Sequence, residues 1–178
     1  MADSESFHMR FGSLLSLRTR PGPWLERLAP GLSQLGPCRQ LTHGPALWLR
    51  LGPDEWWCWQ DEEASDVAAL AQAISQAAGQ AFHACVDLSD AHACCLLPAP
   101  AGPLLSAGCD LDLERLPADF AGRSRLGPFT VVLAPEPAQS GAVRLWVEAS
   151  LADSLNLWFR RTEVVLQPRE QADAASPL

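Results

Sequence analysis

The chain has no lysine and no tyrosine, and all 13 of its basic residues are arginines. It therefore has no candidate for a lysine Schiff base and none for a tyrosine acid or base. It also lacks an excess of positive charge. With 21 acidic residues, the net charge is −8, which argues against nucleic acid or an anionic membrane as partner, since both need a basic patch to replace counterions. Charged residues of both signs make up only 19% against 48% hydrophobic, a globular rather than a disordered balance. Proline or glycine interrupts the longest apolar runs, so none approaches the ~20 residues of a membrane-spanning helix. The six cysteines form no CxxC and no Cys/His spacing of a zinc ribbon. GxGxxG after a strand, GxxxxGK[ST], GxSxG and HExxH are all missing. The chain carries no convincing catalytic set of its own.

The most informative segment that is present runs from Leu51 to Trp57. Upstream, Leu47, Leu49 and Leu51 alternate with Trp48 and Arg50, the period of a strand with one face in a core. Gly52-Pro53-Asp54 stops that strand in a tight turn, and Glu55 to Gln60 forms a second strand, making a β-hairpin. Trp57 and Trp59 lie on one face of it and Trp56 and Cys58 on the other. Core packing is the simpler reading of these indoles, and an aromatic docking surface is the functional one.

Along the rest of the chain, the residues up to 12 read as a flexible N-terminus, 13–167 as one globular domain with halves of about 13–90 and 91–167, and 168–178 as a disordered tail. Strands are expected at Leu14 to Thr19, Ala46 to Leu51, Glu55 to Gln60 and Ala81 to Leu88, with a short helical turn from Trp24 to Leu28. A helix from Ala64 to Ala78, capped by Ser65 and ended by Gly79, precedes the last of these strands. The second half repeats the order: strands at Ala93 to Leu97, Phe129 to Leu133 and Ala142 to Val147, a short helix from Gly102 to Ala107, a helix opened by Ser150, and a last strand at Thr162 to Leu166. The fold class is α+β, with two tandem βαββαβ, ferredoxin-like halves in one compact domain. A single mixed sheet with flanking helices is the alternative.

Three clusters invite a chemical reading. Asp87, Ser89, Asp90 and His92 could suggest acid/base work, but those side chains after a strand are better suited to turn and cap hydrogen bonds. Cys94 and Cys95 are adjacent and point to opposite faces, which rules out a routine disulfide between them. Asp110, Asp112 and Glu114 beside Cys109 lack the glycine and later glutamate of an EF-hand loop and read as a solvated turn. The apolar settings of Cys85 and Cys95 imply free thiols, and the polar, acidic start is no signal peptide, which together place the chain in the cytoplasm.

The order of Leu49-Arg50-Leu51-Gly52-Pro53-Asp54-Glu55-Trp56, Val86-Asp87-Leu88-Ser89-Asp90, Gly108-Cys109-Asp110-Leu111-Asp112-Leu113, Arg125-Leu126-Gly127, Arg144-Leu145-Trp146-Val147 and Ser150-Leu151-Ala152-Asp153 resembles the gamma subunit of heterotetrameric sarcosine oxidase. That family is similar in fold to the folate-binding aminomethyltransferases. The resemblance implies a non-catalytic accessory chain, with alpha, beta and delta subunits as partners. Such a complex demethylates sarcosine or a related N-methyl amino acid, passes the one-carbon unit to tetrahydrofolate and forms peroxide. FAD, FMN, NAD, tetrahydrofolate and zinc are implied for the partner subunits, and no cofactor, metal or catalytic residue for this chain. Trp56, Trp57, Trp59, Arg125 and Trp158 are the expected subunit-interface residues. Two other classes compete: a free-standing folate-binding or aminomethyltransferase-like protein, and a small redox or metal protein using Cys85, Cys94 and Cys95.

Overall fold

The hairpin at Gly52-Pro53-Asp54 forms as its turn chemistry requires. The Leu51 N–H donates to the Glu55 carbonyl at 2.9 Å, and the strands on either side pair antiparallel with Leu49 opposite Trp57 and Leu47 opposite Trp59. The computed structural model describes residues 7–61 and 66–174. The strands are β1 (Met9–Arg10), β2 (Ser13–Arg18), β3 (Arg39–His43), β4 (Ala46–Arg50), β5 (Glu55–Gln60), β6 (Ala84–Asp87), β7 (His92–Leu97), β8 (Gly122–Leu126), β9 (Phe129–Pro135) and β10 (Val143–Glu148). The helices are α1 (Val67–Ala78), α2 (Gly102–Ser106) and α3 (Ala152–Ala174), with a 3-10 turn at Pro23–Arg27 in the place of the short helical turn expected there.

Two five-stranded sheets result, ordered β3-β4-β5-β2-β6 and β1-β7-β10-β9-β8, and every pairing is antiparallel. Each is a ferredoxin-like half with one extra edge strand, β3 in the first and β8 in the second. The central strands β2 and β7, β5 and β10, and β4 and β9 occupy matching places. The two halves form one compact domain, because three clusters fill the space between four layers. One cluster packs Leu15, Leu17, Trp48, Trp56 and Cys58 against Trp24, Leu25 and Ile74 on the outer side of the first sheet. Another packs Cys95, Leu133, Leu145 and Val147 against Leu105, Leu155 and Phe159 of α2 and α3. The third joins the sheets face to face through Leu14, Leu47, Leu49, Trp57 and Trp59 on one side and Cys94, Val132, Ala134 and Trp146 on the other.

The two ends of the chain depart from expectation together. Thr162 to Leu166 is not a strand; it continues α3. Leu155, Phe159 and Leu166 fall at helical spacing and pack on the second cluster, while Val164 and Val165 face solvent. The β-branched run has strand propensity, but the contacts of the helix face outweigh it. The strand position beside β7 is instead filled by β1, with Met9 opposite Cys95 and Arg10 opposite Cys94. Residues 7–12, read from sequence as flexible, are thus tied into the second sheet, and Phe7 stacks on Phe159 with ring centroids 4.8 Å apart. Much of the expected disordered tail lies within α3. Ser65, the expected cap of α1, lies outside the described residues, and Asp66 accepts from the Ala69 N–H at 2.8 Å instead.

Candidate functional site

Strand alternation places Ser16 and Arg18 of β2, Glu55 and Trp57 of β5, and His92, Arg123, Thr130, Trp146 and Glu148 of the second sheet on the facing surfaces of the two sheets. Apolar side chains fill the middle of this layer. Toward one end polar groups replace them, around a half-open cleft of about 350 Å³ lined by these residues.

Glu55 organises the cleft. Arg123 donates to both of its carboxylate oxygens, at 2.7 and 2.6 Å, and Arg18 approaches to 3.3 Å. The guanidinium of Arg123 also lies over the Trp57 ring, 5.5 Å from its centroid. Those hydrogen bonds, with the charges of Arg123 and Arg18, outweigh burial and hold the Glu55 carboxyl below the usual carboxylate range. His92 meets Trp57 edge-on at 4.9 Å. Burial lowers its pKa against the opposing pull of Glu148, so the imidazole is neutral near pH 7. Its Nδ1 and the Trp146 Nε1 are buried without a protein hydrogen-bond partner.

At the opposite end of β5 a second ionic link joins the sheets. Arg144 donates to Asp61 at 3.1 Å and to Glu136 at 2.8 Å, and Asp61 accepts the indole N–H of Trp59 as well. Glu55–Arg123 and Asp61–Arg144 therefore bracket the inter-sheet tryptophans. The carboxylates of Glu55 and Asp61 are engaged by Arg123 and Arg144, so these pairs tie the two sheets together.

Cys58, Cys94, Cys95 and Cys109 are buried and Cys38 is exposed, all unpaired. Burial pushes the thiols of Cys58, Cys85 and Cys94 up, and that of Cys95 to about 12, far from a reactive thiolate. Among the described residues no group of three or more His, Cys, Asp or Glu side chains could hold a metal ion. Asp87 accepts from the Ser89 N–H at 2.9 Å, the turn role its position indicated.

Trp56, Trp57 and Trp59 are buried within the chain's own core: Trp57 and Trp59 face the other sheet, Trp56 faces the outer layer and donates to the Thr19 carbonyl. Arg125 is exposed and Trp158 is half-buried against Phe159. Sequence reasoning did not single out Glu55, Arg123, Asp61 or Arg144. A carboxylate in register with Trp57 and Trp59 was the available signal, because a charge on a core face must be paired.

No family model and no curated protein sequence matches the chain. Solved structures do. A chain of the heterotetrameric sarcosine oxidase from Corynebacterium sp. U-96, determined in complex with pyrrole 2-carboxylate, superposes with a TM-score of 0.69 at 25% identity, over 86% of this chain and 80% of that one. The fold is that of a sarcosine oxidase chain. The glycine cleavage system aminomethyltransferase T from Bartonella henselae shares it, with a TM-score of 0.64 at 11% identity; 86% of this chain matches 44% of that one. The sarcosine oxidase match is near full length on both sides, whereas this chain spans under half of the aminomethyltransferase. No helix among the described residues is long and apolar enough to cross a membrane.

Proposed function

We propose that this chain is the accessory, gamma-type subunit of a cytoplasmic, sarcosine oxidase-like flavoenzyme, in which it scaffolds rather than reacts. The observation that carries this reading is the near-complete mutual coverage with one chain of a heterotetrameric enzyme. The Glu55–Arg123 pair, which uses two of the cleft's charged groups to join the sheets, supports it. In such an assembly alpha, beta and delta chains would hold FAD, FMN, NAD, tetrahydrofolate and zinc, and the reaction would be oxidative demethylation of sarcosine or a related N-methyl amino acid. The test is purification of the chain under native expression. The expected result is co-elution in fixed ratio with flavin-containing subunits; recovery as a flavin-free monomer overturns the proposal.

The likeness to aminomethyltransferase T favours one other reading, a free-standing folate-binding protein. Calorimetric titration of the isolated chain with tetrahydrofolate separates the two. Tight stoichiometric binding establishes the second reading, and the accessory role predicts none.

A further inference from the structure

Each five-stranded sheet has two edges, and the four are not equally protected. The edge at β3 is covered by the segment before β8, through Gln40 N–H to the Asp119 carbonyl at 2.7 Å and Ala121 N–H to the Cys38 carbonyl at 3.2 Å. The edge at β8 is met by Cys109 and Gly108, and the strand at the β1 edge is two residues long. The β6 edge is open. Leu88 donates to the Leu14 carbonyl at 2.7 Å, which sets the register so that Ala84 and Val86 turn their backbone groups toward β2 while Cys85 and Asp87 turn theirs outward. Among the described residues no backbone hydrogen bond reaches those outward groups. Beside them Phe82 is 85% and Val86 54% exposed, and an exposed edge with apolar flanks is a template for strand addition.

The charges along this edge are bipolar. Arg20, exposed and without an ion pair among the described residues, stands with Phe82 at the end where β6 begins. Asp87 and Asp90, likewise exposed and outside every ion pair there, stand at the other end. An antiparallel strand that fits must present acid opposite Arg20, base opposite Asp87 and an apolar residue opposite Val86. Turned through a two-fold rotation about Cys85, the edge itself sets His83 opposite Asp87 and brings Arg20, beside Phe82, to the end that carries Asp87 and Asp90. Cys85 then faces its own copy, so the outward backbone groups of both strands meet in hydrogen-bonding register. Val86 falls opposite Ala84 of the second copy and Phe82 opposite Leu88, and the arginine end of one strand meets the aspartate end of the other.

We infer that β6 pairs with β6 of a second copy of this chain, joining two five-stranded sheets across a two-fold axis. The inference stands independently of the proposed function. Its strands are short, so the interface falls in the weak, concentration-dependent class. The test is sedimentation of the purified full-length chain over a dilution series, with hydrogen exchange read at Cys85 and Asp87. The expected result is a monomer–dimer equilibrium in which those two amides gain protection as dimer forms, and Val86→Asp, checked for native circular dichroism, abolishes both. A chain that stays monomeric at the highest concentration overturns the inference. So does a dimer in which the two amides exchange freely or which Val86→Asp leaves intact, because another face then makes the contact.

Discussion

Gly12 shows how much a single residue can be asked to do in this molecule. A Cβ placed there would lie 2.5 Å from the Gln60 carbonyl oxygen and 2.7 Å from the Trp59 ring, and neither backbone nor a buried indole can yield cheaply. Gly12→Ala should destabilise the chain by about 1–3 kcal/mol, the usual cost of overpacking, read as a lowered urea midpoint with unchanged slope. Glu55 is the matching case for charge. Glu55→Gln leaves Arg123 without its two-pronged acceptor and should cost roughly 1–2 kcal/mol, limited because Arg123 keeps access to water. Its pH dependence follows from the depressed carboxyl. The stabilisation is fully present above the unfolded-state pKa of about 4.3 and is lost as pH falls through the lower folded value. Urea midpoints measured from pH 7 downward should fall less steeply in Glu55→Gln than in the wild type across that acid window; parallel curves would show that the pair contributes nothing.

At the scale of elements, the N-terminal strand is where the fold departs most from a simple repeat. The last strand position of the second half is filled from the opposite end of the chain, by β1, and α3 runs on where a strand was expected. Phe7→Ala should therefore behave as a core truncation and cost about 3–5 kcal/mol, although Phe7 lies near the chain's start. Thermal unfolding measures it, and a change within experimental error would mean that β1 is dispensable. The elements with strong local signals were legible in the sequence. Alternation around Trp57 gave β5 to the residue, Gly79 marked the end of α1, and the proline-glycine turn marked the hairpin. The short β3 was not singled out, since Arg39 to His43 carries little apolar alternation and is held by pairing with β4 and by the segment around Phe120. The Thr162 to Leu166 run was misread because its four β-branched or apolar residues satisfy either period, and only the packing of Leu166 on the cluster that holds Leu155 and Phe159 decides.

On the scale of the whole molecule, the three apolar layers bury Cys58, Cys94, Cys95 and Cys109, while Cys85 on the edge strand β6 is only partly covered. Titration with a thiol reagent under native conditions should modify Cys38 rapidly, Cys85 slowly, and Cys58, Cys94, Cys95 and Cys109 only on unfolding, when all six react. Six fast-reacting thiols would contradict this packing. The sequence by itself determined the α+β class, the two-part order of elements and the division of Trp57 and Trp59 from Trp56 onto opposite strand faces, because these depend on periodicity and turn chemistry within a few residues. It also determined that the chain is acidic and carries none of the familiar catalytic motifs. Tertiary structure alone decided that both tryptophan faces are interior, that Glu55 meets Arg123 and Asp61 meets Arg144, and that the chain's beginning completes its second half. Those are contacts between residues far apart along the chain. Their partners are selected by the way two twisted sheets come to lie on each other, and local preference carries no information about that.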